Sequence, residues 1–448
     1  MASSASQTGY QSDSSCGTKI ERGRKERNGE VATNLEDLGT YASPEVQRCP
    51  FPFLNKLLED APVYRDPGTG MYIVSRYDDI SYVNSNPAIF SSRTPIMINR
   101  QTSVSEEVAR RYKERGWPEE HVLAFADPPE HTLHRALVDK VFTPSYVKKL
   151  EPVALQIVDD LIDGFIQAGE TDLSSGFAVH LPMYIISDQL GVAREDYEQF
   201  KLWSTAWVDR NDPNCPPDRE LMLTDRMIDM QVSLAARARE YENTPGDNML
   251  SRLVHAEVEG QRLTMGQLLM IAQLILVAGN ETTTTGITTA MYMILSDSTL
   301  KARVLADPSV IPQVIEEMLR AHAPVPHQYR FTTQETELAG VVIPKDTVVQ
   351  ISYLAGNYDK ARWECPEQID VDRKGVRNHL AFGRGIHFCV GNQLARMEMR
   401  VAIGRLLERL ADLRISEHHP APKFMEHFQI HALESLHVAF RPSERRNA

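Results

Sequence analysis

The feature that most constrains this chain is a glycine-rich loop at residues 382–391, FGRGIHFCVG, followed directly by a run of helix-forming residues. Glycines allow backbone conformations and close approaches that a side chain would block, so they hold Cys389 in a defined loop. A cysteine just before a helix lies at the positive end of the helix dipole, which favours the metal-binding thiolate. The alternative is a small buried hydrophobic residue, because free cysteines are often buried.

The loop resembles the haem-binding loop of the cytochrome P450 family, Phe-Gly-x-Gly-x-His-x-Cys-x-Gly, and every fixed position of that pattern is present. The resemblance implies that Cys389 is the axial ligand of the iron in haem b. It implies that Phe382, Gly383 and Gly391 form the loop around this ligand, and that His387 contacts a haem propionate.

Composition and charge exclude several classes of protein. The 448 residues include 48 Lys and Arg against 61 Asp and Glu, a net charge of −13, so we expect neither nucleic acid nor an anionic membrane surface as a partner.

Residues 1–33 lack an apolar core and predict a disordered tail, whereas residues 34–448 predict a single domain. No apolar run is long enough to cross a membrane. Five cysteines without paired spacing argue against a secreted disulfide framework, so we expect a cytoplasmic protein.

Hydrophobic patterns predict a mainly α fold with a minor β region. They predict a helix at 50–58, a strand at 71–74, a long, partly irregular loop at 91–125, and two strands at 341–343 and 347–351 that form one small sheet. The family resemblance covers about residues 34–442. It implies the cytochrome P450 fold, with haem between a long central helix and the helix that follows the Cys loop.

The long central helix is predicted at residues 263–295, and a threonine-rich stretch lies inside it. Threonine and glycine are poor helix formers, so the stretch indicates function, although tertiary packing alone can tolerate it. Glu281 and Thr282 are an adjacent acid and alcohol that can hold a water and relay protons. By resemblance to the family's oxygen-activation segment, they are the catalytic pair, and Ala278 and Gly279 contact the haem.

A second set of residues is predicted to bind the haem propionates. His131 and Arg135 lie four residues apart at a helix start and therefore project from one face, where they could meet an anion or form a solvated or capping pair. By resemblance, His131, Arg135, Arg330 and His387 contact the propionates, and an arginine fork suits a carboxylate.

A structural ion pair is predicted between Glu317 and Arg320, which are three residues apart on a helix. By resemblance this pair stabilises the region beneath the haem. The family supplies a third partner, an arginine, at a position where this chain has Gln368. The network is therefore expected to close with a neutral partner or with Arg373.

The resemblance implies a haem-thiolate monooxygenase that inserts one oxygen atom from O2 into an apolar small molecule. Because the chain contains no flavin or iron–sulfur module, electrons from NAD(P)H are expected to arrive through a ferredoxin-type protein and its reductase. Arg384 and Arg396 are predicted to contact that acidic partner. The alternatives are a peroxide-driven or non-hydroxylating haem-thiolate enzyme, and a non-enzymatic helical binding protein.

The substrate pocket is the least constrained prediction. Its lining is expected to include apolar residues of the long helix and of the segment that precedes Arg330, namely Leu274, Ala278, Val325, His327 and Gln328. His327 and Gln328 could give a polar anchor. The helical break at 212–217 resembles the family's mobile lid over the substrate. No substrate is identified by these residues.

Overall fold

The structure is a computed structural model that describes residues 39–95, 101–193, 196–211 and 215–442. The predicted tail and part of the predicted lid, residues 212–214, lie outside the described residues. The α-helices are α1 (Pro44–Arg48), α2 (Phe51–Asp60), α3 (Tyr77–Ser85), α4 (Ser105–Arg115), α5 (Glu130–Asp139), α6 (Pro144–Phe165), α7 (His180–Gln189), α8 (Tyr197–Arg210), α9 (Pro217–Asn243), α10 (Met249–His255), α11 (Met265–Ser296), α12 (Ser298–Ala306), α13 (Ile311–Ala321), α14 (Tyr353–Gly356) and α15 (Asn392–Arg409).

The strands form small sheets at the edges of this helical body. They are β1 (Val63–Arg65), β2 (Tyr72–Val74), β3 (Phe90–Ser91), β4 (Glu170–Asp172), β5 (Gln328–Thr332), β6 (Thr336–Leu338), β7 (Val341–Ile343), β8 (Val348–Ile351), β9 (Leu410–Ile415) and β10 (His437–Pro442). Within the described residues, a five-stranded sheet has the order β1-β2-β8-β5-β3, a three-stranded sheet has the order β4-β10-β9, and β6 pairs with β7. The mainly helical fold with a minor β region is confirmed.

The central helix α11 is 32 residues long and organises the core. Its start is stabilised by a capping box, in which the Thr264 hydroxyl accepts from the Gln267 backbone N–H and the Gln267 side chain accepts from the Thr264 N–H. Residues on nearly all sides of α11 are buried, as expected for a helix at the centre of a large core. Across the described ranges, no helix is both long and apolar enough to span a membrane.

Two predictions about local structure are wrong. The segment 91–125 is not one irregular loop, because α4 lies inside it and buries Val108 and Tyr112, four residues apart, against Trp207 and Met227. The strands at 341–343 and 347–351 do not form one sheet. Strand β7 pairs with β6, whereas β8 pairs with β2 and β5. The reason is burial: β8 is almost wholly buried and needs a partner on each side, whereas Val342 in β7 is exposed.

Candidate active site

A cavity of about 290 Å³ lies between α11 and the Cys loop (residues 382–391). Its lining brings together eleven of the predicted site residues: Ala278, Gly279, Thr282, Val325, Gln328, Arg330, Phe382, Gly383, His387, Cys389 and Gly391. Two segments that are far apart in sequence, the threonine-rich stretch and the Cys loop, therefore share one cavity. The predicted site residues outside the lining are Glu281, His131, Arg135, Leu274, His327 and the structural pair Glu317 and Arg320.

Leu274 and His327 do not line the cavity, and their prediction as pocket residues is wrong. Leu274 packs among the apolar side chains between α11 and its neighbouring helices. His327 is buried outside the cavity. Its Nε2 lies 2.8 Å from the Tyr329 hydroxyl, and its ring packs against Tyr41 and Phe428. Periodicity marks a residue as buried but does not say which buried surface it faces.

The Cys loop owes its shape to left-handed glycines. Gly383 and Gly385 have φ of 69° and 71°, a region that residues with a side chain rarely adopt. A Cβ on Gly385 would lie 2.9 Å from the Asn84 carbonyl oxygen, so this position also needs a missing side chain. The Cys389 amide donates to the Phe382 carbonyl at 2.9 Å, which closes the loop just before α15 begins.

The Cys389 side chain is half-buried, lines the cavity and faces groups that favour its ionised form. Burial is the largest effect and raises the pKa of this thiol, whereas the backbone N–H groups of Gly391 and Asn392 and the charges of Arg135 and Arg396 act to lower it. A cavity-lining thiol with converging N–H groups is a fitting ligand for a cationic metal, which removes the proton from a coordinating thiol. The residues present therefore fit the iron of a haem.

On the opposite wall, three threonine hydroxyls of α11 bond to backbone carbonyls within the helix. The Thr282 hydroxyl donates to the Ala278 carbonyl at 2.7 Å. Thr285 and Thr288 make equivalent bonds at 2.8 and 3.0 Å to residues four positions earlier. Because its proton is engaged in this way, Thr282 presents an acceptor oxygen to the cavity.

Glu281 lies next to Thr282 but outside the cavity lining. Its carboxyl is largely buried, and this burial raises its pKa, while the positive charge of Lys201 on α8 acts in the opposite direction. A carboxyl with a raised pKa holds a proton more readily at moderate pH. The acid and the alcohol are thus adjacent, with the alcohol on the cavity and the acid behind it.

One end of the cavity carries a positive charge without a carboxylate partner. Arg330 is 4% exposed, and its Nη1 and Nη2 donate to the Tyr329 carbonyl at 2.7 Å and to Asn84 Oδ1 at 3.0 Å. Among the described residues, no Asp or Glu forms an ion pair with it. A buried cation without a counter-ion is costly, so this end of the cavity suits an anion such as a haem propionate.

The other predicted propionate ligands lie near this end but differ in exposure. His387 lines the cavity, and its Nε2 is 2.9 Å from the Ser92 hydroxyl. Burial, with the nearby charge of Arg330, lowers the pKa of His387 to about 2, so the ring is neutral. The His131 ring lies 4.3 Å from that of His387, behind the lining. Arg135 does not reach the lining, because its guanidinium donates to Asp139 at 2.9 Å and to the Phe388 carbonyl at 2.5 Å.

The predicted Glu317–Arg320 pair is fully buried, with two contacts of 2.8 Å. Arg373 supplies the third charge, with its Nε 3.1 Å from Glu317 Oε1. Gln368 contributes its backbone carbonyl, which accepts from Arg320 at 3.3 Å and from Arg373 at 2.8 Å. Closure of the network with Arg373 is confirmed.

Sequence reasoning missed three polar residues that line the cavity, Thr283, Tyr353 and Glu398. Glu398 is fully buried on α15, and this burial raises its pKa to about 8. Tyr353 opens α14 directly after β8 and is 4% exposed. A buried strand end followed by a tyrosine is a weak signal for a site, and a glutamate in a helix is weaker still.

Comparisons with known proteins agree with this geometry. Residues 222–435 match the family model for Cytochrome P450. Cytochrome P450 107B1 of Saccharopolyspora erythraea is 36% identical over 352 residues, which cover 78% of this chain and 84% of that protein. The chain belongs to the cytochrome P450 family.

Other P450 relatives cover nearly the whole chain. The Steroid C26-monooxygenase of Mycobacterium tuberculosis strain H37Rv is 32% identical, and the match covers 92% of this chain and 97% of that protein. The structure of Cytochrome P450 CYP109Q5 from Chondromyces apiculatus superposes with a TM-score of 0.79 at 30% identity, covering 91% of this chain and 99% of that one. The P450 fold predicted from the Cys loop is confirmed. The protein is a haem-thiolate monooxygenase, and the predicted enzyme class is confirmed.

Proposed function

We propose that this P450 hydroxylates an apolar small molecule that binds in the cavity between α11 and the Cys loop. The observation that carries the proposal is the shared lining, in which Thr282 on one wall and Cys389 on the other enclose apolar side chains such as Ile186, Ile275 and Val325. Apolar walls bind a ligand by removing its surface from water, and a few polar groups orient it. Gln328 is the polar group beside Val325.

The roles of the haem-binding residues follow from their positions. Cys389 would ligate the iron through its thiolate, and Arg330 and His387 would hold the propionates. When bound, the haem supplies the activation of O2. The protein's contribution is to orient the cofactor, to keep water away and to place the substrate.

Glu281 and Thr282 would control protons on the distal side. Thr282 offers its hydroxyl oxygen to the cavity, because its proton is held by the Ala278 carbonyl. It can therefore accept a hydrogen bond from a water or from a protonated oxygen. Glu281, with its raised pKa, is a proton reservoir behind it.

The lining predicts a substrate with few polar groups. Two relatives are named for their substrates, the Erythromycin C-12 hydroxylase of Saccharopolyspora erythraea and the Steroid C26-monooxygenase of Mycobacterium tuberculosis. The apolar walls favour the steroid class over a macrolide, whose ring carries many oxygens. Titration of the ferric enzyme with steroids and macrolides, followed through the Soret band, tests this preference. Tighter binding of the macrolides would contradict it.

Electrons would arrive from NAD(P)H through a ferredoxin-type protein and its reductase. Arg384, on the Cys loop, is exposed, its Nη1 donates to the neutral Tyr77 hydroxyl at 2.5 Å, and its charge has no carboxylate partner among the described residues, so it could meet an acidic partner. Arg396, which was predicted to share this role, pairs with the buried Glu316, at 2.5 and 3.0 Å. The contact of Arg396 with the redox partner stays a prediction, because its side chain is 19% exposed but already forms an ion pair with Glu316.

The experiment uses the purified protein with a ferredoxin, its reductase and NAD(P)H. A red-shifted ferrous–carbonyl band establishes thiolate ligation, and a product that carries one oxygen atom from O2 establishes hydroxylation. We expect Arg384→Glu to slow reduction of the iron by about tenfold at low salt and less at high salt, since exposed charges are screened. The control is Lys345→Glu, a reversal at an exposed turn. Equal rates in both variants would exclude Arg384 from the docking surface.

A further inference from the structure

We propose that Tyr353 is an additional cofactor-binding residue, whose hydroxyl donates to the same haem propionate that pairs with Arg330, and that Asn84 positions this pocket. The inference rests on the haem binding proposed above. Together these side chains form a pocket for one carboxylate, at the end of the cavity away from α11. Neither residue belongs to a motif in the sequence.

The position of Tyr353 places its hydroxyl in the haem cavity. The residue is 4% exposed and lines the cavity together with Arg330 and His387. It is held there by its chain neighbours, because β8 ends just before it and the Ser352 hydroxyl caps α14. Burial raises the pKa of its phenol, so the hydroxyl keeps its proton and remains a donor at neutral pH.

The neighbours of this hydroxyl are donors. Arg330 and Asn84 lie near the Tyr353 hydroxyl, and both act to lower the pKa of the phenol against the larger effect of burial. Among the described residues no oxygen accepts a hydrogen bond from the Tyr353 hydroxyl, and the residue lines the cavity beside these donors, so its proton is free for a group in the cavity. What it meets there must be an acceptor.

The charge of Arg330 identifies the acceptor as an anion. The guanidinium is buried, and among the described residues it bonds only to neutral oxygens, the Tyr329 carbonyl and Asn84 Oδ1. A carboxylate offers two oxygens, so it can accept from the guanidinium and from a phenol at the same time. Such an anion would neutralise the only charge at this end of the described lining.

Asn84 connects the pocket to the Cys loop. Its side-chain oxygen accepts a hydrogen bond from Arg330 at 3.0 Å and so orients the guanidinium. Its backbone carbonyl oxygen would lie only 2.9 Å from a Cβ added to Gly385. A Cβ on Gly383 would likewise lie 3.2 Å from the Tyr353 hydroxyl. The glycines of the Cys loop therefore make room for the two residues of this pocket.

The test compares two conservative variants of the holoenzyme, Tyr353→Phe and the control Tyr358→Phe. Tyr358 is also buried, but its hydroxyl donates to the Ala321 carbonyl at 3.2 Å and does not line the cavity. The measurement is the rate of haem transfer from the ferric enzyme to excess apomyoglobin. We expect about tenfold faster loss from Tyr353→Phe, since a charge-assisted hydrogen bond is removed, and no comparable change from Tyr358→Phe.

Reconstitution with haem dimethyl ester, whose carboxylates are blocked, provides a second measurement. Wild-type enzyme should lose the ester faster than haem, and Tyr353→Phe should then lose it at the wild-type rate. Equal haem loss from wild type and Tyr353→Phe would overturn the inference, as would wild-type retention of the ester equal to that of haem. A wild-type protein without a Soret band would instead refute haem binding itself.

Discussion

At the scale of single residues, the structure refines the role of Thr282. The sequence pattern predicts a hydroxyl that relays protons together with Glu281. In the structure the Thr282 proton is held by the Ala278 carbonyl at 2.7 Å, so the side chain faces the cavity as an acceptor. Its chemistry is therefore to hold a water or a protonated oxygen in place, and the proton itself must come from another group.

Removal of this hydroxyl should separate electron use from product formation. We expect Thr282→Ala to keep consuming NAD(P)H while the yield of hydroxylated product per electron pair falls by about tenfold or more and hydrogen peroxide rises, because protons are no longer directed. Product and peroxide are measured in the same reaction. Thr288→Ala is the matched control, since its hydroxyl makes the same kind of helical bond at 3.0 Å but does not line the cavity. If Thr282→Ala still gave the wild-type yield of hydroxylated product per electron pair, the proposed role of the Thr282 hydroxyl would be refuted.

At the scale of elements, the ion network around Glu317 joins α13 to the segment that precedes the Cys loop. Glu317 is fully buried between Arg320 and Arg373, and its Oε1 also accepts from the Asp370 amide at 2.9 Å. Arg373 takes the place of the arginine that the family resemblance implies at position 368, and the Gln368 backbone carbonyl accepts from both arginines. A carbonyl satisfies the donors without adding charge, so two arginines share one carboxylate.

Loss of this carboxylate charge should destabilise the protein strongly. Glu317→Gln leaves two largely buried guanidinium groups without a counter-ion, so we expect the free energy of unfolding to fall by about 3–5 kcal/mol. Asp372→Asn is the control, because its partner Arg303 lies at 2.7 Å on the exposed surface, where such pairs contribute about 0–1 kcal/mol. Chemical denaturation of both variants measures the difference. A small fall in the free energy of unfolding for Glu317→Gln would show that other groups compensate the charges of the two arginines.

At the scale of the whole molecule, buried neutral histidines make the fold sensitive to acid. Burial lowers the pKa of His322 to about 4 and those of His327 and His431 to about 3. The rings of His322 and His431 stack on Phe424 with centroids 5.5 and 4.1 Å away, and this cluster joins the end of α13 to the C-terminal segment. Protonation would place charge inside that packing.

The sign of the pH dependence follows from these depressed values. The unfolded chain binds protons at these histidines near their ordinary pKa of about 6.5, whereas the folded chain does not, so stability is full above that value and falls as pH decreases toward 4. Between pH 7 and 5.5 we expect a loss on the order of 1 kcal/mol for each histidine. Thermal midpoints at one scan rate measure it. His431→Phe should give a shallower slope, and an unchanged slope would contradict the assignment.

The sequence by itself determined the features that depend on neighbours along the chain. These are the Cys loop with its left-handed glycines, the long helix α11, the adjacent Glu281 and Thr282, and the Glu317–Arg320 pair. Backbone preference and helical spacing act over a few residues, so they can be read from residue types. This local information was enough to predict the mainly helical fold and the enzyme family.

Only the tertiary structure decided which distant side chains meet. It placed Arg373 on Glu317, committed Arg396 to Glu316, moved His327 and Leu274 out of the cavity, and brought Tyr353 beside Arg330. Periodicity shows that a residue is buried, but the partner depends on how separate elements pack, and several packings satisfy the same pattern. Burial of charge then selects among them, because buried cations such as Arg330 and Arg373 require partners that lie far from them in the sequence.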